Sequence, residues 1–489
     1  MDTKQGTTFG VGPNVSSALA AAGPNSGPEL LVELDRTLRL PLRAQLEEGL
    51  REAVRSGRLA ATARLPATRA LAADLGVSRR LVVDAYAQLL AEGYLVARHG
   101  AGTFVAEAAG SAIAATPEPQ ARALSFDFFP GYPDLASFPR TPWLRATREA
   151  LRAMPSPSFG YPDARGTPEL RAALAEHLRR VRGVVADPST IVVCSGAAQG
   201  LVLLARALAR LRGTHWAVED PGLPPHRMIL EGHGTRLSAL PVDEHGARVQ
   251  ELARIDASAG GALAAALVTP AHQSPTGVAL APARRSALLE WATGGGVVIE
   301  DDYDAEYRYD RAPLAALQGL APDRVVYLGT SSKTLAPALR LGWMVLPPRL
   351  LGPIVEQKTL ADNGCPTLEQ LALARLLDSG SYDRHLRQAR RRYRARRDAL
   401  VTAVAAHLPA ARVVGLAAGL HAIVRLGRAV DGVALIDAAR RRSVGVYPLG
   451  YCYMNVKPAH DGLVLGYANL SEQAIDEGIR RLAQALEEV

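Results

Sequence analysis

An α/β fold preceded by a small helix-turn-helix module is what the sequence predicts, on three observations. From Ala123 onward, short apolar runs alternate with helical patterns, the signature of a sheet covered by helices on both faces. Before that, between about residues 40 and 105, a helix pair joined at a glycine turn is followed by two short strands. Finally, Lys333 stands in a run of small hydroxyl residues directly after one of the apolar runs, in a chain with 52 arginines and only four lysines.

The chain has 489 residues, beyond the roughly 250–300 at which single cores stop growing, so two or more domains are expected. With 48% hydrophobic and 5% aromatic residues the composition is globular. The net charge is +8, and the segment Arg384–Arg397, with eight arginines and no acid, accounts for all of it. Basicity alone is therefore a weak argument for nucleic acid. That segment is expected to be a solvated helix face, with phosphate contacts to passing DNA as the alternative. Cys194, Cys365 and Cys452 have no paired spacing, which suits a reducing cytoplasm and argues against a disulfide framework or a metal site. No basic region precedes an apolar core at the N-terminus, and no stretch approaches ~18 apolar residues. A cytoplasmic protein with neither signal peptide nor membrane span is expected.

Residues 1–29 are rich in Gly, Pro, Ser, Thr and Ala without periodicity and read as a mobile tail. The first domain is expected over 30–107. Pro41 is placed to open a helix in which Leu42, Leu46, Leu50 and Val54 recur at helical spacing. A short helix from Thr68 to Leu75 stops at Gly76, and Ser78 caps the next, which carries Val82, Tyr86 and Leu89 on one face. Gly93–Ala97 and Thr103–Val105 then read as strands around a basic, glycine-rich tip, Arg98–Gly102. Arginines opening the second helix of such a pair can reach guanine edges or phosphates, and the tip can enter a minor groove. Arg64 is a candidate phosphate contact.

Three motifs carry a resemblance here: Leu65-Pro66-x-x-Arg69, Leu75-Gly76-Val77-Ser78-Arg79, and Gly93-Tyr94 through His99-Gly100-x-Gly102-Thr103. The stretch resembles the winged-helix domain of the GntR family of transcription regulators. That resemblance places Arg69, Ser78, Arg79, Arg80, His99 and Gly100 at DNA-contacting positions and implies double-stranded operator DNA as a partner.

Residues 108–122 are small, polar and proline-bearing, a linker. Beyond it the candidate strands are Ile191–Cys194, Trp216–Val218, Leu263–Val268, Val297–Glu300 and Val325–Leu328, each followed at once by polar or glycine-containing sequence. Ligands of open α/β sheets bind beyond the carboxyl ends of the strands, so five such ends imply one pocket. Their residues suit pyridoxal 5′-phosphate (PLP), which needs an amine for its aldehyde, a carboxylate for its ring nitrogen and donors for its phosphate. Lys333 can supply the amine as a Schiff base, since a lysine, unlike an arginine, can lose its proton. Asp301 can supply the carboxylate. Ser195, Gly196, Ala197 and Ala198 precede a helix expected over Gln199–Leu211 and can hold a phosphate with backbone amides. Thr330, Ser332 and Arg340 add donors.

Residues 123–489 resemble a fold-type I PLP enzyme of the aminotransferase class. The whole chain, from about residue 36, is similar to the MocR/GabR family, which fuses a GntR winged helix to such a domain. The motifs are Tyr161-x-Asp163-x-x-Gly166, Glu300-Asp301-Asp302-Tyr303 and Ser332-Lys333-Thr334-Leu335-Ala336-Pro337-x-Leu339-Arg340. The resemblance implies a mostly parallel central sheet, a smaller C-terminal α+β subdomain and a homodimer. It also implies that Tyr303 approaches the cofactor's phenolic oxygen and that Tyr161 reaches the phosphate of the neighbouring subunit. Three positions depart from the enzymes: Leu223 where a ring stacks on the cofactor, Ser274 where an Asn bonds the phenolic oxygen, and Leu463 where an Arg grips the substrate carboxylate. The function expected is a regulator that binds PLP and senses PLP itself, an amine or an amino acid. The alternative is a working aminotransferase with an accessory DNA-binding domain.

Overall fold

The computed structural model describes residues 33–107, 124–258, 263–304, 306–309, 314–415, 418–455 and 459–489. The tail 1–29 and the linker 108–122 lie outside them. The chain divides into two compact units, one within residues 1–121 and the other within 122–489.

The first unit holds α1 (Leu42–Arg55), α2 (Thr68–Asp74), α3 (Arg79–Ala91), β1 (Leu95–Arg98) and β2 (Gly102–Val105). The helical apolar spacing becomes its core: Leu46, Leu50 and Val54 of α1 meet Leu71 of α2 and Val82, Tyr86 and Leu89 of α3. Gly76, at φ +62°, takes the left-handed turn that frees the chain to start α3, where Ser78 Oγ accepts the Leu81 amide at 3.2 Å. β1 and β2 pair antiparallel from Leu95↔Val105 to Arg98↔Gly102. The segment before α2 adds an edge that the sequence did not disclose, with Leu65 N bonding Thr103 O at 2.8 Å and Val105 N bonding Ala63 O at 2.9 Å.

The second unit opens on β3 (Phe126–Asp127). An eight-stranded sheet follows, of β4 (Ile191–Cys194), β5 (His215–Asp220), β6 (Arg236–Asp243), β7 (Gly246–Ala247), β8 (Ala265–Val268), β9 (Val297–Asp302), β10 (Val325–Thr330) and β11 (Gly342–Val345). Its spatial order is β4-β11-β10-β9-β8-β5-β6-β7. From β10 through β6 the neighbours run parallel. β11 lies antiparallel to both β10 and β4, and β7 to β6. One face packs Trp216, Ile299, Leu328 and Met344 against Leu201, Leu204 and Leu208 of the helix Gly196–Leu211. The other packs Val268, Val298 and Val325 against Leu252 and Leu288. Each such side chain, fully buried, contributes about 1.5–3 kcal/mol, and burial on both faces is why these strands read as continuous apolar runs.

The C-terminal part carries β12 (Arg412–Val414), β13 (His421–Asp431), β14 (Val444–Gly445) and β15 (Ala459–Gly466). β12, β13 and β15 form an antiparallel sheet, while β14 pairs parallel with β3. This is the smaller α+β region expected. Among the described residues no helix is long and apolar enough to cross a membrane.

The arginine-rich segment lies inside a helix, Ser381–His407, but is not simply a solvated face. Arg390 donates to the Glu306 carbonyl, and Arg396 to Asp134 Oδ2 at 3.0 Å and to the Ala468 carbonyl. Arg397, 8% exposed, bonds Asp398 at 2.9 Å and lies 5.1 Å from the centre of the Tyr309 ring. Arg384, Arg387, Arg391 and Arg394 are exposed. Eight arginines in fourteen residues exceed what one face of a helix can hold. Some turn inward beside Leu386, Tyr393 and Leu400, where their stems are covered and their heads reach carbonyls and carboxylates.

Candidate functional site

The carboxyl ends of β9 and β10 and the start of the helix Gly196–Leu211 converge on a cavity of about 530 Å³. β10 and the loop after it bring Thr330, Ser332, Lys333 and Arg340; β9 and the turn after it bring Asp301 and Tyr303; the helix start brings Ala197 and Ala198. Ser274 enters from the turn after β8, Leu223 from the turn after β5, and His226 from the helix Pro224–Gly232 that follows. The elements scattered along the sequence are thus one site.

Asp301 is its least satisfied member. Its side chain is 1% exposed, neither carboxylate oxygen has a hydrogen-bond partner, and His226 Nε2 stands 3.7 Å away. Burial, reinforced by Asp302 and Asp304, pushes its carboxyl up to about 8, with Lys333 opposing. A buried carboxyl with no partner is costly unless a cation or donor completes it, and a protonated ring nitrogen would do so. Burial pulls the Lys333 amine below its ordinary value, against Asp304 and Asp301. Gly131 faces that amine, and a Cβ there would stand 3.4 Å from Nζ. Tyr303 Oη lies 3.0 Å from His272 Nδ1, which is also 3.0 Å from Asp304 Oδ1.

The anion end departs in one detail from the sequence reading. The helix begins at Gly196 rather than Gln199, and the Ser195 amide is already bonded to Gln199 Oε1 at 2.8 Å. Ser195 therefore has only its hydroxyl to offer. The amides of Gly196, Ala197 and Ala198, in the first turn, have no intrahelical acceptor. The Arg340 guanidinium bonds the Ser195 carbonyl, and a Cβ on Gly196 (φ +80°) would lie 3.1 Å from it. Thr330 Oγ1 donates to Ser332 Oγ at 3.0 Å. Behind this end Lys358, fully buried, bonds Gln199 Oε1 at 2.9 Å, Asp362 Oδ2 at 2.6 Å and Cys365 Sγ at 3.1 Å. An unbonded carboxylate, an amine with lowered basicity, free helix-start amides and a guanidinium together fit PLP.

The far wall comes from the C-terminal part: His421, Ile436, Arg440, Val446, Tyr447 and Val464. The expectation for Leu463 is corrected here. Leu463 is wholly buried in the core, and its neighbour Val464 reaches the cavity, because successive strand residues face opposite sides. The missing clamp is apolar at either position. Tyr161 is 92% exposed and does not line this cavity in its own chain; it borders a surface groove with Leu151, Met154 and Phe159. His226, His421 and Arg440 were not foreseen, since nothing in their local sequence distinguishes them.

On the first unit Arg64, Arg69, Arg79, Arg80, His99 and Gly100 are all exposed. The Arg80 side chain is 91% free, 3.9 Å from Asp84. Ser78 is exposed, but its hydroxyl oxygen is engaged as the α3 cap. Arg64 is held beside the wing, where a Cβ on Gly102 would come within 3.3 Å of its Nε. Arg98, at the start of the basic tip, lies 4.8 Å from the centre of the Phe104 ring.

The sequence matches the gntR family of bacterial regulatory proteins over residues 42–105 and aminotransferase class I and II over 132–482. It is 34% identical over 479 residues to the probable rhizopine catabolism regulatory protein MocR of Rhizobium meliloti, covering 93% of this chain and 96% of that protein. It is 34% identical over 455 residues to the HTH-type pyridoxine biosynthesis transcriptional regulator PdxR of Corynebacterium glutamicum, covering 90% and 95%. An archaeal alanine:glyoxylate aminotransferase structure matches with a TM-score of 0.69 at 27% identity, covering 76% of this chain and 92% of that one. Fold and site together define a transcription regulator built on an aminotransferase-like domain. The chain belongs to the MocR/GabR family.

Proposed function

We propose that this chain binds PLP at Lys333 and uses that site to control how its winged helix holds operator DNA. The observation that carries the reading is Asp301, a buried carboxyl without a partner, on the same cavity as Lys333. When bound, the cofactor would supply an electron-withdrawing ring and an aldehyde that captures amines. Around it, Asp301 would hold a proton on the ring nitrogen, Tyr303 would meet the phenolic oxygen, and Gly196–Ala198, Ser195 Oγ, Ser332 and Arg340 would bind the phosphate. Leu223 would cover one face. A ligand that binds one arrangement of the protein better than another shifts the balance between them, and either the cofactor or an amine joined to it could be that ligand.

Catalysis is a secondary expectation at most. Val464 and Ser274 offer no cation to orient an amino-acid carboxylate, and orientation contributes much of the rate of such reactions. We further expect a cytoplasmic homodimer, with the winged helix over 30–107, a linker over 108–122 and the sensor over 123–489. Exposed Leu151 and Phe159 support pairing, with Tyr161 reaching the cofactor phosphate of the second subunit.

The test is spectroscopic and functional. Purified protein mixed with PLP should gain a visible absorbance band that Lys333→Ala abolishes, and its affinity for operator DNA should change on loading. An unchanged spectrum would refute the cofactor role. Turnover near ~1 s⁻¹ or above with amino donors and a keto acid would restore the enzyme reading.

A further inference from the structure

The cavity's far wall holds a buried histidine that no side chain among the described residues hydrogen-bonds. His421, at the start of β13, is 3% exposed, and neither ring nitrogen has a hydrogen-bond partner, although the Pro275 carbonyl faces the ring. It lines the cavity beside Ser274, Tyr303 and Val464. Buried polar groups are almost always partnered, and one aimed into a cavity is explained by what enters it.

The charge pattern narrows what can enter. Burial, with His272 and Lys333 adding, pushes the His421 imidazole down to about 3, so it is neutral at physiological pH. Among the described residues the cations on the wall are Lys333, Arg340 and Arg440. Arg340 is bonded at the anion end, and Arg440 is exposed. A carboxylate beside Val464 and His421 would meet an apolar side chain and a neutral imidazole in place of a guanidinium, which is unfavourable for a buried charge. A neutral imidazole has one donor and one acceptor, and a hydroxyl or amide can satisfy either.

We infer that the ligand read at this site is a primary amine bearing a neutral hydrogen-bonding group, of the amino-alcohol class, and that His421 selects it over the corresponding α-amino acid. This rests on the proposed cofactor role. With the cofactor bound, the ligand's nitrogen would replace that of Lys333 in the carbon–nitrogen double bond: one such bond would break as one formed, and both protons of the ligand nitrogen would pass to the Lys333 nitrogen, which would leave as a free amine.

The test uses full-length, PLP-loaded protein and three matched probes: L-leucinol, L-leucine and isoamylamine, which share a branched body and differ in the hydroxymethyl, carboxylate or hydrogen on the amine-bearing carbon. Affinities are read from the ligand-induced change in visible absorbance. Leucinol should bind about tenfold or more tighter than either other probe. His421→Phe should bring leucinol to the level of isoamylamine, and His421→Asn, which keeps a donor and an acceptor, should retain most of the preference. Val464→Arg should turn the preference toward leucine. Leucine binding as well as leucinol in the unmodified protein, or a preference that survives His421→Phe, overturns the inference alone. Absence of a Lys333-dependent band overturns it together with the cofactor role.

Discussion

Asp301 illustrates how a single residue can be unfavourable for the fold and necessary for the site. Its folded-state pKa of about 8 lies above the unfolded value near 3.9, so the native protein keeps a proton that the unfolded chain releases. Its contribution to stability therefore falls as pH rises from about 4 to about 8. Asp301→Asn should raise the melting temperature of the cofactor-free protein, by nothing near pH 4 and by several degrees near pH 8, as calorimetry across that range will show. The same change should weaken PLP binding about a hundredfold or more if Asp301 is, as proposed, the ionic partner of the ring nitrogen. A mutant stabilised at high pH yet unable to hold the cofactor would be the signature. Lys333 and Asp301 were legible in the sequence because each closes an apolar run, and strand ends are where such sheets bind ligands. His421 was not legible: its lack of partners is produced by burial between distant segments, and its neighbours in sequence carry no trace of it. Leu463 was misplaced by one residue, and in a strand one residue exchanges core for cavity.

Among the elements, the helix Ser381–His407 separates arginines that look alike in sequence. Arg396→Ala, which leaves the nearly buried Asp134 with only Arg392 at 3.7 Å, and Arg397→Ala, which uncovers Tyr309, should each lower stability by about 2–3 kcal/mol in urea denaturation. Arg384→Ala, Arg387→Ala and Arg391→Ala should stay within about 0.5 kcal/mol. Equal effects at all five positions would contradict the division. In the winged helix, Ser78→Ala should cost about 1 kcal/mol through loss of the α3 cap. The helices of the first unit and five strands of the large sheet were readable from periodicity and caps. β6, the two-residue β7 and β11 escaped that reading. Pro241 interrupts β6, and the four residues of β11 are too few for a pattern; pairing with β10 and β4 makes it a strand.

For the whole molecule, the net charge of +8 is a poor guide to DNA binding, because half of the arginine segment supports the sensor fold. The exposed arginines of the winged helix are the better guide. Arg79→Ala and Arg80→Ala should each reduce the slope of log affinity against log salt by about 1 if the side chain meets a phosphate. Either substitution should instead relax preference at a base pair if it reads an edge. Assembly has its own check: Leu151→Arg should convert the proposed dimer to a monomer in sedimentation, whereas a protein that sediments as a monomer before mutation would remove the role given to Tyr161. The use of arginine almost everywhere has a practical result as well. Of the four lysines, Lys358 is sealed against three acceptors and Lys333 faces the cavity, so a sample labelled with ¹⁵N at the lysine side-chain nitrogen contains four signals in all. One belongs to Lys358, whose nitrogen is held by Gln199, Asp362 and Cys365 and serves as an internal reference, and another reports directly whether the amine at the cavity is free, protonated or covalently engaged. Magnetic resonance can thus follow ligand capture in a chain of 51.8 kDa without resolving its backbone.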